Sequence, residues 1–189
     1  MPRVFCVFSI LLLASGGALA HPNHAGDGFT AGLSHPLLGA DHLLAMLAVG
    51  FWAARFGGLA RWGIPAAFVT AMLAGALLGL GGFPWTGDDA TIAASVLVLG
   101  LMIAFAMRLP AAAGAALIAG FALFHGHAHF TELPAGAAFA PFAAGMLIAT
   151  ALLHIAGIGL AAGLGRFGAW LPRACGALTA LAGAWFLVA

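Results

Sequence analysis

Most of this chain consists of apolar runs long enough to cross a lipid bilayer, and this feature limits what it can fold into. Of its 189 residues, 64% are hydrophobic and only 6% are charged. A water-soluble domain needs more polar surface than this composition supplies, so the sequence indicates a membrane protein. Within lipid, backbone polar groups must be hydrogen-bonded internally, and an apolar run of about 20 residues meets that requirement as a helix. We therefore expect an all-α membrane protein.

The breaks between the apolar runs divide the chain into six predicted transmembrane helices. Arginine, glycine and proline mark these breaks, as is typical of connections between helices. Small residues are abundant within the runs and allow helices to approach closely, which favours a compact bundle over a wide pore. The predicted spans are residues 35–54, 62–82, 90–107, 110–131, 138–160 and 170–188.

The first 20 residues have the pattern of a secretory signal peptide. Arg3 precedes an apolar run from Val4 to Ala14, and an A-x-A sequence at residues 18–20 is typical of a cleavage site. The alternative is an uncleaved first membrane helix, but the run is short for a span. We predict cleavage of residues 1–20, which leaves residues 21–189 as one six-helix transmembrane domain.

The distribution of charge predicts the orientation of the spans. If the mature N-terminus at His21 lies outside the cytoplasm, the connections after spans one, three and five carry every arginine of the mature chain. The outward segments carry every acidic residue except Asp41. Basic residues favour the cytoplasmic side of a membrane, so both ends of the mature chain are predicted outside. The sequence has no cluster of basic residues that would bind nucleic acid.

Ionisable residues interrupt the first apolar span, in the sequence HPLLGADHLLAMLAVG from His35 to Gly50. As a continuous helix, this stretch would have His35 and His42 on one face, about two turns apart. Asp41 would border that face, and Met46 would continue it. An ionisable side chain at the centre of a membrane helix costs about 2.5–3.5 kcal/mol and is tolerated mainly where it faces a site or a pathway. This stretch is therefore the predicted functional centre.

A second polar cluster ends the fourth span, in the sequence FHGHAHFTE. Helical spacing puts His125, His129 and Glu132 on one face and turns His127 away from it. Because spans one and four would run in opposite directions, the two clusters are expected at matching depths. The predicted layers are His35 with His129 and Glu132 on the outside, and Asp41 and His42 with His125 below them.

Imidazole and carboxylate groups together suit borderline divalent ions such as Ni²⁺, Co²⁺ and Zn²⁺. A single buried histidine is more often a hydrogen-bonded core residue, but two matched clusters favour a metal site. His154 is a weaker candidate that could equally pack in the core, and Met46 is a weaker candidate that is more typical of a packing residue. His21 is weaker still, because the polar lead from His21 to Gly32 is more typical of a solvated terminus. The predicted ligands are His35, Asp41, His42, His125, His129 and Glu132.

These motifs resemble those of the HupE/UreJ proteins. The pattern H-x5-D-H formed by His35, Asp41 and His42 is similar to the family signature, and FHGxAHxxE at residues 124–132 is similar to its second motif. The resemblance implies a nickel or cobalt permease of the bacterial inner membrane, with the metal ion as substrate and no tightly bound cofactor. The chain departs from the family at Phe130, where glycine is usual. A ring there could narrow the path or alter the metal preference.

We therefore expect secondary or facilitative transport of Ni²⁺, or of Co²⁺, into the cytoplasm through the clusters of spans one and four. The expected partners are a divalent ion and membrane lipid. ATP hydrolysis is excluded for this chain, because it has no Walker motif and no connection long enough for a nucleotide-binding domain. One alternative is a zinc-dependent intramembrane hydrolase, since histidine and glutamate clusters also activate water. The other is an accessory membrane subunit with structural or haem-binding histidines.

Overall fold

The structure is a computed structural model that describes residues 28–189. The predicted signal peptide at residues 1–20 and the candidate ligand His21 lie outside the described residues. Within them, regular secondary structure is entirely helical, as the sequence predicts. The helices of this part of the chain are α1 (Gly28–Leu38), α2 (Ala40–Ala53), α3 (Gly58–Leu80), α4 (Asp88–Ala104), α5 (Ala111–Thr131), α6 (Phe139–Gly165) and α7 (Trp170–Phe186).

Three helices of the described chain, α3, α5 and α6, are long and apolar enough to cross a membrane. Helices α1 and α2 would form a fourth span together, although the pair is bent by 82°. Helices α4 and α7 have 17 residues each. At about 1.5 Å per residue they are shorter than a bilayer core of about 30 Å. The apolar helices suit a membrane protein, and the six-span arrangement stays a prediction.

The predicted continuous helix from His35 to Gly50 is wrong, because the chain bends sharply at Gly39. Gly39 has an extended backbone, with φ −89° and ψ 115°. Pro36, in the last turn of α1, lacks the N–H that would continue the helical hydrogen bonds, and glycine leaves helical geometry easily. His35 and His42 therefore lie on different helices and share no helix face. Helix α1 also begins at Gly28, so the end of the predicted polar lead is helical.

Glycine allows the helices to approach closely where they pair. Helix α3 packs mainly on α5, α4 on α7, and the α1–α2 pair on α6. At Gly126 of α5, an added β-carbon would overlap the backbone carbonyl of Met72 in α3. At Gly50 of α2, it would overlap the carbonyl of His154 in α6. This is the close packing that the small residues of the sequence predict.

Arginine links two connections at one end of the bundle. The Arg55 guanidinium, in the α2–α3 connection, donates hydrogen bonds to the carbonyl oxygens of Ala106 and Met107 in the α4–α5 connection. The connections that carry Arg55 and Arg108 therefore lie at the same end, as the predicted topology requires. The histidine clusters lie away from it, near the α1–α2 bend and the last turns of α5.

Candidate metal centre

Four imidazoles from three helices converge beside the α1–α2 bend. His35 comes from α1, His42 from α2, and His125 and His129 from α5. The ring centroid of His42 lies 4.5 Å from that of His129 and 5.2 Å from that of His125. The His35 and His129 centroids are 5.0 Å apart. Helices α2 and α5 have no extensive backbone packing on each other, and α3 and α4, which pack on both, hold them in place while the side chains meet between them.

Two overlapping sets of three side chains have the spacing that a metal ion requires. We call His42, His125 and His129 the buried set, and His35, His129 and Glu132 the outer set. Within each set, the potential ligand atoms lie within 4.8 Å of one another. The outer set contains the same residues as the predicted outer layer. The buried set differs from the predicted inner layer at one position, because it contains His129 in place of Asp41. His129 belongs to both sets, and Asp41 belongs to neither.

Asp41 orients His42 instead of joining either set. Its Oδ1 atom accepts hydrogen bonds from the backbone N–H and from the ring Nδ1 of His42, each at 2.8 Å. A carboxylate partner on one ring nitrogen fixes the tautomer, so the lone pair of His42 lies on Nε2. That Nε2 atom is buried and has no hydrogen-bond partner. Asp41 lies in the first turn of α2, where the positive end of the helix dipole favours its charge.

Ser95 of α4 sets the orientation of His125, and sequence reasoning missed this residue. The Ser95 hydroxyl donates its proton to the Ile92 carbonyl at 2.7 Å. Its oxygen therefore accepts a hydrogen bond from Nε2 of His125, at 3.1 Å. The Nδ1 atom of His125 is left buried and without a partner, which makes it available as a ligand. The available signal was a single hydroxyl in the otherwise apolar segment 92–103.

Glu132 gives the outer set a charged, solvent-accessible ligand. Its Oε2 atom accepts a hydrogen bond from Nε2 of His35 at 2.9 Å and lies 3.4 Å from Nδ1 of His129. Burial would raise the pKa of the Glu132 carboxyl, but contacts with His129 and His35 lower it below its usual value. The carboxylate is therefore ionised at neutral pH, and its side chain is 42% exposed. The buried set, by contrast, contains only imidazoles that are removed from solvent.

His127 points away from both sets, as its helical position predicts. Its Nδ1 atom lies 2.7 Å from Oδ2 of Asp88, and its Nε2 atom donates a hydrogen bond to the Phe83 carbonyl at 3.1 Å. The residue is only 5% exposed. His127 therefore joins α5 to the α3–α4 connection and the start of α4, a structural contact that the sequence did not reveal.

Met46 and His154, the remaining candidate ligands of the described chain, are buried outside both sets. The Met46 sulfur accepts a hydrogen bond from the Thr150 hydroxyl at 3.3 Å, as suits a packing residue. His154 is 1% exposed, and neither of its ring nitrogens has a hydrogen-bond partner. The Phe130 ring occupies the space that a side chain at Gly79 would need. Whether Phe130 changes the path or the metal preference stays a prediction.

Comparisons with known proteins agree with the family resemblance described above. The family model described as HupE / UreJ protein matches residues 9–186. Protein HupE of Rhizobium leguminosarum bv. viciae is 45% identical over 172 residues, which cover 90% of this chain and 90% of that protein. No solved structure matches the chain. The resemblance predicted from the motifs is thereby confirmed.

Proposed function

Because the chain belongs to the HupE/UreJ family, we propose that it is a secondary or facilitative permease that moves Ni²⁺, or Co²⁺, across the bacterial inner membrane into the cytoplasm. The family contains membrane metal-transport and accessory proteins, so the chain is not an enzyme. This excludes the alternative of a zinc-dependent hydrolase. The transported ion, the direction of transport and the ligands are the parts that we propose.

The observation that carries this proposal is the sharing of His129 by the two ligand sets. An ion that enters the outer set would be held by His35, His129 and the ionised carboxylate of Glu132. It would then pass to His42 and His125, with His129 as the ligand common to both sets. Each step exchanges one or two ligands, so the ion never has to give up its whole coordination shell at once. Such staged exchange suits transport, because binding must be strong enough for entry and weak enough for release.

The charges support the same order of events. Glu132 is the exposed member of the outer set, and its negative charge attracts a cation from the aqueous side. Asp41 supplies a second negative charge through its hydrogen bond to His42. Transfer of a divalent ion into a medium of low dielectric constant is expensive unless nearby opposite charges compensate for it. The buried set can thus accept the ion although imidazoles bring no negative charge of their own.

For the membrane arrangement we propose six spans, with both ends of the mature chain in the periplasm. The α1–α2 pair would form the first, broken span, and α4 and α7 would form short spans. Irregular backbone within a membrane is tolerated where it lines a protein cavity or site, and the bend at Gly39 lies beside the histidines. The broken span would thus serve the same purpose as the broken helices of other transporters.

The close contact of the imidazoles supports a small ion over haem as the occupant. The rings of His42 and His129 are only 4.5 Å apart between centroids. Two axial histidines with a metal–nitrogen bond of about 2.0 Å on each side of an iron atom need a wider separation and a flat space for the macrocycle. An accessory subunit with haem-binding histidines would reveal itself by a Soret band after purification.

Transport by the purified chain in proteoliposomes would test the proposal. We expect entry of Ni²⁺ or Co²⁺ that saturates with concentration and does not require ATP. His129→Ala should abolish entry, because this change removes a ligand from both sets. His35→Ala should weaken entry less, because the buried set stays complete. A well-folded His129→Ala variant with normal entry of both metals would contradict the proposal.

A further inference from the structure

Phe68 of α3 contacts both a histidine of the buried set and another buried histidine. Its ring centroid lies 5.4 Å from that of His125 in α5 and 5.0 Å from that of His154 in α6. The plane of the Phe68 ring stands at 86° to the His154 ring. Phe68 is 1% exposed, so both of these ring contacts lie inside the protein.

His154 has no structural reason to be a histidine among its described contacts. The residue is 1% exposed, and both ring nitrogens are buried without hydrogen-bond partners. A polar group in this position loses its hydrogen bonds with water and gains no hydrogen bond in return, whereas an apolar side chain of similar size would avoid that cost. The neutral imidazole keeps one lone pair free, which is what a metal ligand requires.

Further weak ligands lie one turn from His154 on α6, at Thr150 and the two methionines that it contacts. Thr150 precedes it by one turn on α6, so the two side chains share a helix face. The Thr150 hydroxyl lies 3.3 Å from the Met46 sulfur and 3.9 Å from the Met72 sulfur. This group offers one imidazole, one hydroxyl and two thioethers, and none of them is charged. It would hold a divalent ion more weakly than the ligand sets beside Asp41 and Glu132 do.

We propose that His154 is the main ligand of an inner metal site and that the Phe68 ring is a gate between this site and His125. The inference rests on the proposed function, because the inner site receives its ion from the buried set. A weak site beyond the gate suits release, since an ion must be able to leave the protein again. Rotation of the Phe68 side chain would open the passage, and its return would keep the two sites apart.

The first experiment separates a ligand from a packing residue by substitution of His154 with leucine. If His154 is a ligand, His154→Leu should raise the thermal midpoint of the full-length protein in detergent, because it removes an unsatisfied polar group. The same variant should lose about one Ni²⁺ ion per chain in calorimetric titration and most Ni²⁺ entry into proteoliposomes. His154→Gln serves as a polar replacement of similar size. A lower midpoint with unchanged ion number and entry would overturn the proposal.

The second experiment tests the gate. Phe68→Leu should speed Ni²⁺ entry and reduce discrimination against Mg²⁺, while tight binding by the ligand sets is kept. Ile64→Val is the matched control, because Ile64 is equally buried one turn earlier on the same face of α3. Equal entry rates for Phe68→Leu and wild type would exclude a gate. If the wild-type protein neither binds nor admits Ni²⁺, the proposed function itself fails. If wild type is active and both His154 variants match it, only the inner site fails.

Discussion

At the scale of single residues, the histidines of the site differ in which ring nitrogen is free to bind a metal. Asp41 occupies Nδ1 of His42 and leaves Nε2, whereas Ser95 occupies Nε2 of His125 and leaves Nδ1. Partners of this kind hold the ring in place and fix its tautomer before the metal arrives. The geometry of the buried set therefore depends on two residues that do not belong to it.

The contribution of Ser95 can be measured by removal of its hydroxyl. Ser95→Ala leaves Nε2 of His125 without an acceptor, so the ring can turn or change tautomer. Loss of such a supporting partner typically weakens metal binding by about 10–100-fold, and we expect a change of this size in the Ni²⁺ dissociation constant. Thr179→Val is the control, because the Thr179 hydroxyl is also buried but bonds to a carbonyl within α7. Equal affinities for the two variants would show that Ser95 does not support the site.

Substitution of two histidines that lie two residues apart on α5, and so point in different directions, should have different effects. His129→Ala removes the ligand that both sets share, so we expect loss of tight Ni²⁺ binding with little change in thermal stability. His127→Ala breaks the contacts with Asp88 and Phe83, so we expect a lower thermal midpoint and nearly normal affinity per folded molecule. Titration and thermal unfolding of both variants at equal protein concentration would check this. A greater loss of Ni²⁺ affinity in His127→Ala would contradict the assignment of the two sets.

The sequence identified most of the polar residues of the candidate metal centre but not the role of each one. Helical spacing within α5 correctly separated His127 from His125 and His129, because those residues lie on one regular helix. It could not separate Asp41 from His42, since neighbouring residues can both reach a site. It also missed Ser95, whose relation to His125 depends on how α4 packs and not on any spacing along the chain.

At the scale of helices, the bend at Gly39 brings the first cluster together. A straight helix would put His35 and His42 about 10 Å apart along its axis. The bend reduces the distance between their ring centroids to 6.1 Å, so both can approach His129. The sequence contained the signals, Pro36 and Gly39, but the apolar pattern continues through them. Hydrophobic periodicity reports which face is buried and does not report a change in helix direction.

The pairing of α3 with α5 can be tested at Gly126. An added β-carbon there would overlap the Met72 carbonyl, so Gly126→Ala should force the two helices apart. Overpacking of this kind typically costs about 1–3 kcal/mol, and the shift should also weaken Ni²⁺ binding by the adjacent His125. Gly120→Ala is the matched control on the same helix, because nothing lies within 4 Å of its added β-carbon. Thermal unfolding that is equally affected by both changes would contradict the packing described.

At the scale of the whole molecule, the sequence predicted where the helical segments lie along the chain but not where each of them ends. The predicted spans are close to α3, α5 and α6, where apolar runs end at clear breaks. The third and sixth spans were predicted longer than α4 and α7, because apolar residues continue into the connections. Burial in a membrane and burial against another helix produce the same apolar pattern, and only the three-dimensional packing separates them.

The orientation of the molecule gives the last prediction. The connections that carry Arg55 and Arg108 lie at one end of the bundle, and the positive-inside rule puts that end in the cytoplasm. Single cysteines can report this in a background with Cys6 and Cys175 replaced by serine. In intact spheroplasts, a membrane-impermeant maleimide should label Thr86→Cys and Ala189→Cys.

The same reagent should label Met107→Cys only after the membrane is opened, because Met107 lies at the end where Arg55 contacts the α4–α5 connection. All three positions are exposed at the protein surface, so access to the reagent depends on the membrane and not on burial. If only Met107→Cys were labelled in intact spheroplasts, the orientation would be the opposite of the predicted one. The outer set, with Glu132 as its most exposed ligand, would then face the cytoplasm, and the proposed uptake would have to be read as export.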